Sequence, residues 1–117
     1  YAPDDEIAAR DYGVTRYGME AQRLCDVLDK QLKDKKYING DHYSLADILV
    51  YPWFNALLGG YQDPNGNRAR EFLDVDSYKN AIRWAEEIEK RPAVQRGMRV
   101  CSWDELEEKG TKPWLND

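Results

Sequence analysis

The stretch from Tyr43 to Gly60 constrains the fold more than any other part of this chain. Ser44 stands three residues before Asp47, the spacing of a capping box with a short acidic arm. In that arrangement the Ser hydroxyl accepts from the N–H at position 47, and the carboxylate reaches back to the N–H of Ser44. Tyr43 and Ile48 occupy the two positions of a hydrophobic staple around the cap. Beyond it nearly every side is apolar, through Ile48-Leu49-Val50-Tyr51 and Trp53-Phe54. A helix apolar on every side is expected to be buried by other elements. The run from Leu45 to Leu58 is interrupted by Asp47, Pro52 and Asn55 and is too short and broken to span a bilayer. Pro52 removes one backbone hydrogen bond and predicts a kink, and Gly59-Gly60 predicts the end of the helix.

The elements that would bury this helix are also helical. Tyr17, Ala21, Leu24, Cys25, Leu28 and Leu32 recur at spacings of three and four, one face of a long helix beginning near Asp4. Pro3 ahead of Asp4, Asp5 and Glu6 suits its N-terminus, and Gly13 is a candidate bend. Asn39-Gly40-Asp41 marks a loop. Asp63-Pro64-Asn65-Gly66 marks a turn in a polar connection whose flanks do not alternate, so no hairpin is expected. Tyr78, Ala81, Ile82, Ala85 and Ile88 form the stripe of a third helix from about Asp76 to Lys90, stopped by Arg91-Pro92. Pro92 opens a short helix that Gly97 is expected to close, and Ser102 to Glu105 is a second capping box opening a short acidic helix. The pattern is all-α, without a strand or repeat.

Charge and composition exclude several functions. With 17 basic against 22 acidic residues the net charge is −5, and the basic side chains are scattered, which disfavours nucleic acid and an anionic membrane as partners. The densest basic cluster, Lys33, Lys35 and Lys36, reads as a solvated helix end. The lone His42 and the distant Cys25 and Cys101 lack metal-ligand spacing and leave no triad or zinc site to assemble. Cys25, on an apolar face, reads as a reduced core thiol, and the chain as a cytoplasmic protein.

Three stretches taken together resemble the C-terminal domain of cytosolic glutathione transferases. They are Gly40-Asp41-His42-Tyr43-Ser44-Leu45-Ala46-Asp47-Ile48, Tyr51-Pro52-Trp53, and Trp84-Ala85-Glu86 through Arg91-Pro92-Ala93-Val94. Thr15-Arg16-Tyr17, Glu20 to Leu24, and Glu71 to Val75 before Tyr78 are similar to the bacterial Nu-class branch, the glutathione-dependent disulfide-bond reductases. The resemblance implies an all-α, glutathione transferase C-terminal-like helical bundle over residues 1–97, followed by a tail with a short helix at 98–117. It also implies a two-domain, dimeric enzyme acting on glutathione and a small electrophile or disulfide, with no metal. Its N-terminal thioredoxin-like domain, bearing the thiolate-stabilising Thr and Asn residues, would precede Tyr1. This chain alone is expected to be inactive and to hold no catalytic residue. A non-catalytic, glutathione-transferase-like interaction module is the competing reading.

The resemblance assigns one glutathione-binding residue to this half, Arg16. A guanidinium suits that task because its planar fork grips a carboxylate through two parallel bonds. By helical wheel Arg16 sits at the border of the apolar stripe, and the bland alternative is a solvated pair with Glu20 one turn on. Tyr12 and Tyr17 are candidates for the substrate pocket, and Trp103 and Trp114 for a tail folded over the cleft. Asp47, a carboxylate among apolar residues, invites a catalytic role. The capping box already accounts for it, so Ser44 and Asp47 are assigned to folding. Tyr51, Trp53, Phe54 and Trp84 are expected in the core.

Overall fold

The computed structural model describes residues 3–62 and 66–100. Helix α1 runs unbroken over Pro3–Gln31, α2 over Leu45–Asn55, α3 over Ala69–Phe72, α4 over Lys79–Glu89 and α5 over Pro92–Arg99. A π-helical turn, Ala56–Gly60, continues α2, and a 3₁₀ turn, Val75–Ser77, follows α3. Among the described residues there is no strand, only two isolated bridges, Tyr37 to Gly40 and Gln62 to Arg68. The first closes the expected Asn39-Gly40 turn, with Gly40 at φ +120°, a backbone conformation that side chains with a Cβ rarely adopt. The chain divides inside α4 into two compact units, the first ending at Ala85 and the second beginning at Glu86.

In the first unit the core gathers around Trp84, which is fully buried. Tyr51 and Phe54 of α2 meet its ring edge-on, at centroid distances of 6.2 and 6.1 Å, a geometry that pairs the positive ring edge with the negative face. Cys25 of α1, Leu32 just after it, and Tyr37, Leu73, Val75, Ala81 and Ala85 are also buried there.

Long-range hydrogen bonds fix the ends of these elements. The Asp29 carboxylate on α1 accepts from the backbone N–H groups of Asn80 at 2.7 Å and Ala81 at 3.0 Å, and from Asn80 Nδ2 at 3.0 Å. It caps the N-terminus of α4 from another helix, satisfying donors that a helix start leaves orphaned. Arg83 holds the turn after α1 by donating from Nη2 to the carbonyls of Leu32 and Lys35, at 2.8 and 2.9 Å. Further up α1, the Tyr78 hydroxyl donates to the Gln22 carbonyl at 3.2 Å. One turn before that, Gly18 lets α3 come close. A Cβ there would lie 3.1 Å from Phe72 Cε1.

Several expectations from the sequence need correction. The third helix begins at Lys79 rather than Asp76, because Asp74 takes a left-handed φ of 50° and a 3₁₀ turn intervenes. Gly59-Gly60 does end the helical run, but by way of a π turn after α2. The Tyr61 N–H bonds to the Ala56 carbonyl at 2.9 Å, closing a π turn through both glycines. Gly97 does not close α5, which continues to Arg99, with the Val100 N–H returning to the Gly97 carbonyl. The α1 helix passes through Gly13 and Gly18 without interruption.

The largest departure concerns burial. Only Asp47, Tyr51 and Phe54 of α2 are buried, while Leu45, Leu49 and Trp53 lie on its exposed side, Trp53 at 72%. Trp53 therefore leaves the expected core set. On α1, Tyr17 and Leu24 of the expected apolar stripe are also exposed. One face of α2 meets Trp84; among the described residues nothing encloses the other. In the second unit Ile88 is buried and Arg91-Pro92 separates α4 from α5 as expected. The Asp63-Pro64-Asn65 turn, Cys101, the Ser102 capping box, Trp103 and Trp114 lie outside the described residues.

Candidate functional site

Helix α1 carries the candidate binding residues. Tyr12 and Arg16 stand one turn apart on the same side, with Tyr17 beside them, and all three are exposed, the tyrosines by 72% and 77%. Around Arg16 the nearby acidic side chains have other partners. Glu20, the expected partner one turn on, is held instead by Arg23 in a two-point grip, Nη2 to Oε1 at 2.7 Å and Nε to Oε2 at 2.9 Å. The Arg23 hydrogen bonds above all, helped by the weaker charges of Arg23 and Arg16, hold the Glu20 carboxyl below its ordinary range against the desolvation that opposes them. Arg10 is engaged in turn by Asp11 at 3.1 Å. Among the described residues no carboxylate lies in salt-bridge reach of Arg16.

Asp47 presents the opposite picture. Its carboxylate is fully buried and its two oxygens receive four donors. Oδ1 accepts from the Ile38 N–H at 3.0 Å and the Trp84 indole at 2.8 Å, and Oδ2 from the Ser44 N–H at 2.9 Å and the Ser44 hydroxyl at 3.0 Å. The reciprocal capping box of Ser44 and Asp47 is formed. Burial alone would push this carboxyl up; the bonds from Ile38, Trp84 and Ser44 outweigh it and hold the group below the usual carboxylate range. Asp47 thus joins the loop before α2, the start of α2 and the central tryptophan of α4. The Ile38 and Trp84 donors were invisible in the sequence, since neither follows from local spacing. The Tyr43 ring lies edge-on to Tyr37 at 5.7 Å.

Among the described residues the first unit carries at least two grooves. One, of about 480 Å³, is almost wholly apolar and runs between α1 and α2, with Leu24, Val27, Val50 and Trp53 on its walls. Cys25 also lines it; burial raises the thiol's pKa, which disfavours the thiolate that nucleophilic chemistry needs. Another, of about 620 Å³, is bordered by Val14, Tyr61, Arg68 and Phe72. Among the described residues no group of His, Cys, Asp and Glu could hold a metal ion, and no helix is long and apolar enough to cross a membrane. The arrangement on α1 can hold an anion.

Comparison with known proteins decides the family. The family model for the glutathione S-transferase C-terminal domain matches residues 19–92. This chain belongs to that family. Over 91 residues this glutathione S-transferase C-terminal domain is 52% identical to the disulfide-bond oxidoreductase YghU of Escherichia coli K12, covering 77% of the chain and 30% of that relative. It is 34% identical to YfcG, another disulfide-bond oxidoreductase of the same organism, over 74% of the chain and 35% of the relative. A crystal structure of the glutathione transferase YghU from Streptococcus pneumoniae, complexed with glutathione, superposes with a TM-score of 0.69 at 42% identity, covering 76% of this chain and 33% of that one. The domain therefore spans about a third of the length of these relatives, and its all-helical architecture is the one its motifs implied.

Proposed function

We propose that this domain is the helical half of a glutathione transferase or glutathione-dependent disulfide-bond reductase, and that Arg16 holds a carboxylate of the bound glutathione. The observation that carries this reading is the open guanidinium of Arg16. Its neighbours Arg10 and Arg23 are both engaged by acidic side chains, and among the described residues Arg16 is not. Glutathione carries two carboxylates, and a charge-assisted bond to one of them suits a free fork of donors. The glutathione complex of a relative and the disulfide-bond activity in the names of two others support the substrate class.

In this reading the thiolate of one glutathione attacks a disulfide sulfur, forming a mixed disulfide and expelling a thiolate that takes up a proton. A second glutathione attacks the mixed disulfide, releases the other thiol and leaves as glutathione disulfide. Arg16 anchors and orients; the group that stabilises the thiolate belongs to an N-terminal thioredoxin-like domain. Tyr12 and Tyr17, exposed beside Arg16, border the pocket for the disulfide or electrophile. The exposed apolar sides of α1 and α2, with Leu24, Leu49 and Trp53, are the surface that the rest of the family protein covers. The assembled enzyme is a cytoplasmic homodimer.

Titration calorimetry with glutathione on the full-length protein tests the proposal. Loss of one such bond, about 1.5–3 kcal/mol, predicts that Arg16→Ala weakens binding roughly 10- to 150-fold with an unchanged melting temperature. Unchanged affinity would remove Arg16 from the site.

A further inference from the structure

We draw no further inference here: the strongest candidate, the apolar groove between α1 and α2 lined by Leu24, Val27, Val50 and Trp53, belongs to the surface already assigned to the rest of the family protein, and nothing in the structure shows which segment covers it.

Discussion

Replacing Asp47 with alanine removes one carboxylate and strands donors at three different places. The Trp84 indole N–H is fully buried and has no route to water; leaving such a donor unsatisfied costs about 1–3 kcal/mol. The Ser44 N–H loses the arm of its capping box, a loss of roughly 0.5–2 kcal/mol. The Ile38 N–H is only half-buried, so water recovers part of its bond. The total is about 2–5 kcal/mol, a large share of the roughly 5–15 kcal/mol by which a domain is stable. Urea unfolding of the full-length protein, followed by tryptophan fluorescence and circular dichroism, should show the midpoint falling by about 2 M at an m-value near 2 kcal/mol/M. Glutathione affinity of the folded fraction should stay unchanged. A midpoint within about 0.3 M of the parent, or full stability with turnover abolished, would refute the assignment of Asp47 to folding. Asp47→Asn keeps the volume and one acceptor oxygen, but its amide N–H₂ faces donors; it should fall between the parent and Asp47→Ala.

The same carboxylate sets an acid limit. Its folded pKa lies below the ordinary value, so the unfolded chain binds its proton first as pH falls. Its stabilisation is therefore complete well above the unfolded value of about 3.9 and is lost as pH drops through the lower, folded pKa. Stability measured between pH 6 and pH 2 should fall more steeply in the parent than in Asp47→Asn. Parallel curves would show that the carboxylate is not the titrating support.

Three further perturbations probe separate parts of the structure. Asp29→Ala removes the cap that α1 supplies to α4 and should cost about 1–2 kcal/mol in denaturant unfolding; a change under roughly 0.3 kcal/mol would mean that water replaces the cap. Arg16→Lys keeps the charge but loses the planar fork, so calorimetry should find glutathione affinity closer to Arg16→Ala than to the parent; full recovery would argue for a simple charge contact. Leu24→Lys separates the domain from the assembled protein. Leu24 is exposed here, so in the isolated chain the change should stay within about 0.5 kcal/mol. In the full-length protein, where the proposal has it covered, the same change should cost several-fold more, and equal effects in both would show that this side of α1 is not an internal interface.

What the sequence made legible was local, and what it concealed was the work of distance. Ser44 and Asp47 are three residues apart, so their mutual cap follows from spacing, and Arg91-Pro92 stops α4 by the same short-range logic. The cap on α4 itself sits 51 residues away, at Asp29, where no window of sequence could associate it with Asn80. The Asp47 to Trp84 bond spans 37 residues and is equally hidden. The misjudged burial of Trp53, Tyr17 and Leu24 has a different origin. Apolar character says that a side chain needs a partner, without saying that the partner lies in the same chain. On α2 the two sides are chemically alike, yet Tyr51 and Phe54 find Trp84 while Leu49 and Trp53 face outward. Arg16 was ambiguous in sequence because Glu20 stood at the right interval to neutralise it. Three residues beyond Arg16's expected partner sits a competitor, Arg23, which takes Glu20 in a two-point grip. The same acidic residue that made Arg16 look like an ordinary surface charge is claimed by Arg23, so among the described residues Arg16 has no ion-pair partner, and the proposal gives it a glutathione carboxylate instead.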